Sequence, residues 1–84
     1  MQDSAEAIRE LVNSVVEPLV DNPESLEVTS SLSGTNILVE IATDPDDAGK
    51  VIGRSGRVIK SIRTLARAAA TRKGLSVDVE LIEE

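Results

Sequence analysis

The 84-residue sequence predicts an α+β fold in which helices pack on one face of a three-stranded sheet, in the order α-β-β-α-α-β. Apolar residues recur at helical spacing in residues 4–20 and 57–73, and they alternate with polar residues in three shorter segments. Because helices and strands do not alternate strictly along the chain, helices on one face of a small sheet are favoured. The sequence shows no linker or repeat, and we expect residues 1–84 to form one domain.

The first helix is predicted from residue 4 to about residue 20. Its apolar residues make one face, formed by Ile8, Leu11, Val12, Val15, Val16, Leu19 and Val20. Asp3 and Glu6 resemble a capping box at its start. Pro18 should end or kink the helix near residues 16–17, because proline lacks an amide donor and clashes with the preceding turn.

Three segments alternate in the manner of half-buried strands. A turn at Asp21-Asn22-Pro23 precedes the first strand, and Ser33-Gly34-Thr35 between the first two is typical of a hairpin loop. The third strand follows Gly74, which is expected to end the long helix. The alternating positions are Leu26, Val28, Ser30 and Leu32, then Ile37, Val39 and Ile41, then Leu75, Val77, Val79 and Leu81.

Asp44-Pro45-Asp46-Asp47 predicts a helix start. Asp44 is a favoured N-cap, and proline suits the first helical position. The carboxylates that follow interact favourably with the positive end of the helix dipole. One side of this short helix is formed by Ala48, Val51 and Ile52. The glycine loop, Gly53-Arg54-Ser55-Gly56, interrupts it, and a long helix runs from about Arg57 to about Lys73. The expected apolar face of the long helix is formed by Val58, Ile59, Ile62, Leu65, Ala66 and Ala69.

The composition excludes several kinds of function. The chain has no histidine, cysteine or aromatic residue, so the usual general base, thiolate zinc sites, disulfides and base-stacking platforms are all missing. No apolar run approaches the roughly 18 residues of a membrane span, and residues 1–6 do not resemble a signal peptide, so we expect a cytoplasmic protein. Helix capping explains Asp44, Asp46 and Asp47 better than Mg²⁺ binding does. We therefore expect no enzyme, cofactor or metal site.

The charges are unevenly distributed along the chain. With 15 acidic and 9 basic residues, the net charge of −6 argues against a nucleic-acid partner. Residues 49–73, however, contain no acid and eight bases: Lys50, Arg54, Arg57, Lys60, Arg63, Arg67, Arg72 and Lys73. The flanking segments, 1–48 and 74–84, are strongly acidic. Uncompensated bases at the start of the long helix favour an anionic ligand there, and the alternative is the solvated face of an amphipathic helix.

The glycine loop has two interpretations. A corner between two helices can require glycine for its backbone alone, and a G-x-x-G pattern is common by chance. Its place at the head of a helix is more specific, because the first helical N–H groups lack intrahelical partners. Glycines let a sugar-phosphate backbone approach closely, while Arg54 and Ser55 supply a charge and a hydroxyl. Lys50, Arg57 and Lys60 are close in sequence and would add positive charge for phosphates.

Residues 44–57 closely resemble the core of a KH domain, most of all that of the KhpA family of small bacterial single-KH proteins. The resemblance continues in residues 17–24 and 62–65, and the element order is similar to the type II arrangement. It implies that the glycine loop clamps the backbone of about four single-stranded nucleotides. It also implies a groove for the bases opposite the strand 36–42, with an apolar floor formed by Val51, Ile52 and Ile59. Those three residues are equally well explained as core.

The resemblance to KhpA further implies an RNA chaperone in post-transcriptional control, with links to cell-shape and cell-wall homeostasis. It implies self-association as a homodimer, a heteromer with a KhpB-type KH protein, or both. The candidate RNA-binding residues are Lys50, Val51, Ile52, Gly53, Arg54, Ser55, Gly56, Arg57, Ile59 and Lys60. A protein-interaction module with little RNA affinity of its own is the alternative. A duplex-DNA reader is a weaker one, because the three strands disfavour it.

Overall fold

The computed structural model describes residues 3–82, and the predicted α-β-β-α-α-β order is confirmed. The elements are α1 (Ser4–Val16), β1 (Glu27–Ser33), β2 (Asn36–Ala42), α2 (Ala48–Ile52), α3 (Arg57–Thr71) and β3 (Ser76–Ile82). Residues 1–2 and 83–84 lie outside the described part, and with them part of the predicted acidic C-terminal segment. Within residues 3–82, every helix is too short or too polar to cross a membrane.

The sheet is mixed, with β2 in the centre. β1 pairs antiparallel with β2 through a two-residue turn whose first residue, Gly34, has φ +60°. This turn confirms the predicted hairpin, since a glycine with positive φ matches the twist of the two strands. β3 pairs parallel with β2, which requires a long crossover connection, and α2, the glycine loop and α3 provide it. β1 and β3 are therefore the two edge strands.

The core lies between one face of the sheet and the helices α1 and α3. The inward side chains of the central strand have no exposed surface, because neighbouring strands flank them and helices cover them. The outer strands and the helices complete the core with buried aliphatic residues, chiefly Val28, Val77, Val79, Ile8, Val12, Val16, Ile59, Ile62, Ala66 and Ala70. The opposite face of the sheet carries Glu27, Glu40, Asp78 and Glu80, so most of its charge is negative.

Both ends of α1 follow the local sequence signals. The Asp3 carboxylate accepts a hydrogen bond from the N–H of Glu6 at 2.8 Å, which confirms the predicted cap. The Glu6 side chain pairs with Arg9, so the reciprocal half of the capping box does not form. α1 ends at Val16 and continues as a single 3₁₀ turn that contains Pro18, as the proline predicts.

Two features of α3 correct the sequence prediction. The helix ends at Thr71, two residues early, and Gly74 closes it with φ +72°. Leu65, which was expected on the apolar face, has 49% of its surface exposed. The buried stripe is centred on Ala66, and Leu65 lies about 100° around the helix from that residue. Ala70 occupies the buried position one turn further along, with no exposed surface.

Candidate nucleic-acid interface

The glycine loop has a backbone that requires both of its glycines, for different reasons. Gly53 has φ +77° and ψ 174°, a region that is essentially restricted to glycine. A Cβ atom added to Gly53 would lie 2.3 Å from Cγ2 of Val58, so the space is also closed to any side chain. Gly56 has φ +73° with open space around it, so only its left-handed backbone favours glycine.

The tip of the loop presents hydrogen-bond donors to solvent. Arg54 and Ser55 are exposed, and within residues 3–82 their N–H groups have no backbone acceptor. Gly56 precedes α3 as its N-cap and offers no side chain to the first helical amides. Ser55 also has positive φ, +57°, which is strained for a non-glycine residue and is found preferentially at functional sites. This arrangement of N–H groups at the positive end of a helix is suited to binding an anion.

Lys50 is held by two carboxylates beside the loop. Its Nζ lies 2.5 Å from Oδ2 of Asp21 and 2.9 Å from Oδ1 of Asp47. The Asp47 carboxylate, which has no exposed surface, also accepts from the N–H groups of Asp21 (3.1 Å) and Asn22 (2.9 Å). These bonds tie the beginning of α2 to the turn after α1. Lys50 is thus engaged by the protein itself, and its ammonium is less available to a phosphate than an exposed, unpaired base would be.

The role of Asp47 corrects the prediction that all three acids near residue 45 support the helix start. Asp44 does so, since its Oδ1 accepts from the N–H of Asp46 at 2.9 Å. Asp47 makes no capping bond and binds residues 25 and 26 positions away. Burial by itself would raise the pKa of Asp47, but the hydrogen bonds from Lys50, Asp21 and Asn22 outweigh it and lower the pKa to about 2.

Acid should therefore destabilise the protein through Asp47. The folded pKa of about 2 lies below the ordinary value of 3.8, so this stabilisation is present above pH 4 and is lost as the pH falls from about 4 to 2. Asp47→Asn should lower Tm by about 10 °C at pH 7, since a charged hydrogen-bonded partner of Lys50 is lost. Urea unfolding at several pH values should show a shallower acid loss for this variant. Asp46→Asn, an exposed control, should retain the wild-type profile.

Positive charge continues from the glycine loop along one side of α3. Arg57 and Lys60 are exposed, and no carboxylate in residues 3–82 forms a salt bridge with either. Lys60, Arg63 and Arg67 are spaced three and four residues apart and share one side of the helix; we call them the basic stripe. Nε of Arg63 donates to the carbonyl oxygen of Val79 at 3.1 Å, so the basic stripe faces the edge strand β3.

The apolar candidates for the groove differ in exposure. Val51 has no exposed surface and Ile59 has 8%, which places both in the core, whereas Ile52 is half-buried beside the loop. The structure also corrects the expected position of strand 36–42 opposite this floor. That strand is β2, the centre of the sheet, and its inward side chains are fully buried. β3 pairs with β2 and forms the edge of the sheet, and Arg63 of the basic stripe bonds to it. The strand beside the basic stripe is therefore β3.

Comparison with known proteins identifies the family. The KhpA/KhpB KH domain profile matches residues 9–81, which include the glycine loop, the basic stripe, β1, β2 and all but the last residue of β3. The chain belongs to the KhpA/KhpB KH-domain family. Its helices and strands follow the type II-like order of KH domains.

Several relatives of the KhpA/KhpB family cover nearly the whole chain. A protein of Clostridium perfringens is 43% identical over 75 residues, 89% of this chain and 100% of its own length. A Caldanaerobacter subterraneus protein is 44% identical over 73 residues, covering 87% and 97% of the two chains. A Chlamydia trachomatis protein is 40% identical over 78 residues, covering 92% and 99%. Each is named RNA-binding protein KhpA, a name that describes a binding protein and not an enzyme.

Proposed function

We propose that this protein binds single-stranded RNA without catalysis, as a single KH domain in the cytoplasm. The glycine loop carries the proposal, because its amide donors at the head of α3 adjoin exposed bases that have no acidic partner in the described residues. The KhpA relatives, named as RNA-binding proteins, support the same ligand. The acidic opposite face of the sheet repels a polyanion, so the RNA is confined to the helical side.

The candidate residues divide into three groups by their position. The first group faces the phosphates in this proposal. Arg54, Ser55, Arg57 and Lys60 are exposed and contact phosphates directly. Gly53 and Gly56 let the RNA backbone approach closely because they carry no side chain, while their own N–H groups donate to the carbonyl oxygens of Gly49 and Gly53. Ile52 is half-buried and contacts a base or sugar at the edge of the loop. Lys50, Val51 and Ile59 act through the structure, since the first is paired with carboxylates and the other two belong to the core.

The finer functional statements rest on the resemblance to KhpA. We propose a role as an RNA chaperone in post-transcriptional control, together with a KhpB-type KH protein, that contributes to cell-shape and cell-wall homeostasis. A domain that clamps about four nucleotides has little sequence information available to it. A second RNA-binding module in the same complex would raise the affinity through effective concentration.

Binding to RNA should weaken steeply as salt is added. Each phosphate neutralised on a single strand contributes about −0.7 to the slope of log K against log salt, so contacts from Arg54, Arg57 and Lys60 give about −2. Fluorescence anisotropy with a labelled single-stranded octaribonucleotide between low and high KCl measures this slope. The same octamer annealed to its complement is the control and should bind more weakly. Absence of binding at low salt, or a slope near zero, would refute the proposal.

A protein-interaction module is the second candidate, favoured by Leu65. This side chain is 49% exposed on α3 and borders an open depression whose other lining residues are Arg57, Lys60, Ser61 and Thr64. We propose that a second copy of the chain binds this surface. A KhpB-type protein is the alternative partner. Light scattering over a range of concentrations should show a dimer that Leu65→Lys converts to a monomer. A monomeric wild type that also binds no partner would remove this candidate.

A further inference from the structure

Arg63 differs from the other basic residues of α3 because the protein holds one atom of its guanidinium group, Nε, and leaves the two Nη groups without a protein partner in the described part of the chain. It is half-buried, and its Nε donates to the carbonyl of Val79 on the edge strand β3 at 3.1 Å. Within residues 3–82 no carboxylate forms a salt bridge with it, and no hydrogen bond to protein engages its two Nη groups. No buried side-chain nitrogen in that part of the chain lacks a partner, so the Nη groups reach solvent.

A guanidinium anchored at Nε keeps the orientation of its other donors. Lysine and most exposed arginines must lose rotamer freedom when they bind, whereas the plane of Arg63 is already defined by α3 and β3. The Nη donors form a planar fork that pairs with two adjacent acceptors on one ligand. Arg63 lies seven residues after Gly56, about 10 Å along the helix, which is within reach of an RNA held at the glycine loop.

The chemistry of the bases determines which of them such a fork can select. Guanine offers adjacent acceptors at O6 and N7, and cytosine offers them at N3 and O2. Adenine places an amino donor beside N7, and uracil places an N–H donor between its two carbonyls, so neither presents the required pair. Unstacked bases of single-stranded RNA expose these edges to side chains.

We propose that Arg63 is a specificity-determining residue that selects guanine or cytosine over adenine and uracil at one position of the bound RNA. This inference rests on the proposed function, because it requires that RNA be held at the glycine loop. Arg63 joins α3 to an otherwise open sheet edge, which places the reading group between the helix and the strand. Lys60 and Arg67 on either side are exposed and supply charge without a fixed orientation.

The test compares four labelled octaribonucleotides, oligo(A), oligo(U), oligo(C) and alternating A-G, by anisotropy at one salt concentration. Wild type should bind oligo(C) or the A-G octamer about fivefold or more tightly than oligo(A) and oligo(U), as expected for a bidentate base contact. If guanine is the selected base, replacing it with 7-deazaguanine, which lacks N7, should reduce affinity to the oligo(A) level. The variant Arg63→Lys keeps the charge and one donor for Val79 but has no fork. It should bind all four octamers within about twofold, with the oligo(A) affinity unchanged.

Arg67→Lys is the matched control on the same stripe and should keep the wild-type preference. Thermal unfolding of Arg63→Lys checks that β3 remains in place. If Arg63→Lys keeps the wild-type preference, Arg63 only supports the sheet edge and the inference is wrong. Equal binding of all four octamers by wild type also overturns it, while the proposed function stands. If wild type binds none of them, the proposed function fails and this inference fails with it.

Discussion

Replacing Gly53 with alanine is expected to destabilise the protein by about 3 kcal/mol or more, because a strained backbone and a steric clash add at one position. The backbone of Gly53 lies in a region that other residues avoid, and the new Cβ would lie 2.3 Å from Cγ2 and 2.7 Å from Cβ of Val58. Val58 is the second residue of α3, so it cannot move without displacing the helix. A domain of this length has about 4–12 kcal/mol of stability in total, so much of it would be lost.

Two other glycines near the loop provide graded controls in the same urea unfolding experiment. Gly49 lies within α2 and has nothing within 4 Å of an added Cβ, so Gly49→Ala should stabilise the protein by about 0.5–1 kcal/mol. Gly56 has equal space but φ +73°, so Gly56→Ala should cost about 1 kcal/mol from backbone strain alone. If Gly53→Ala costs no more than Gly56→Ala, the contact with Val58 does not constrain the loop.

The features that the sequence predicted correctly are those determined within one turn of the chain. The cap at Asp3, the helix end near Pro18 and the left-handed Gly74 each depend on a few neighbouring residues. Leu65 was misplaced because spacing defines an apolar stripe only to within about one residue, and packing against the sheet decides which side is buried. The burial of the Asp47 carboxylate had no local signal, since only Lys50 among its partners is one turn away and the other two, Asp21 and Asn22, are more than 20 residues away.

In the candidate site, too, the sequence identified the features that depend on neighbouring residues and missed those that depend on distant contacts. The glycine loop and the surrounding bases were found from the sequence because they are contiguous. The sequence did not identify Arg63 as different from its neighbours, because its distinction is a bond to Val79 that exists only when β3 pairs beside β2. The same parallel pairing places β2 in the centre of the sheet and leaves β3 at the edge. The strand beside the basic stripe is therefore β3, whereas the sequence predicted β2 in that position.

The double variant Arg54→Asp/Ser55→Asp is expected to weaken RNA binding by about 100-fold or more, with no loss of stability. Two proposed contacts to phosphates are replaced by two carboxylates that repel phosphates. A charged hydrogen bond contributes about 1.5–3 kcal/mol, and 1.4 kcal/mol is tenfold in Kd. Both side chains are exposed, and aspartate tolerates the left-handed backbone of Ser55. Acidic groups at the start of α3 also favour its dipole, so Tm should stay the same or rise.

A charge-matched control separates a site from general electrostatics. Arg72→Asp/Lys73→Gln makes the chain more negative by the same three charges, at exposed positions just beyond the opposite end of α3. That end lies about 22 Å from the loop by the rise of the helix, beyond the Debye length of about 8–10 Å. The control should lose no more than about threefold in affinity at physiological salt, because screened charges at that distance contribute little. Equal losses in both variants would show that the RNA responds to net charge and that the glycine loop is not its binding site.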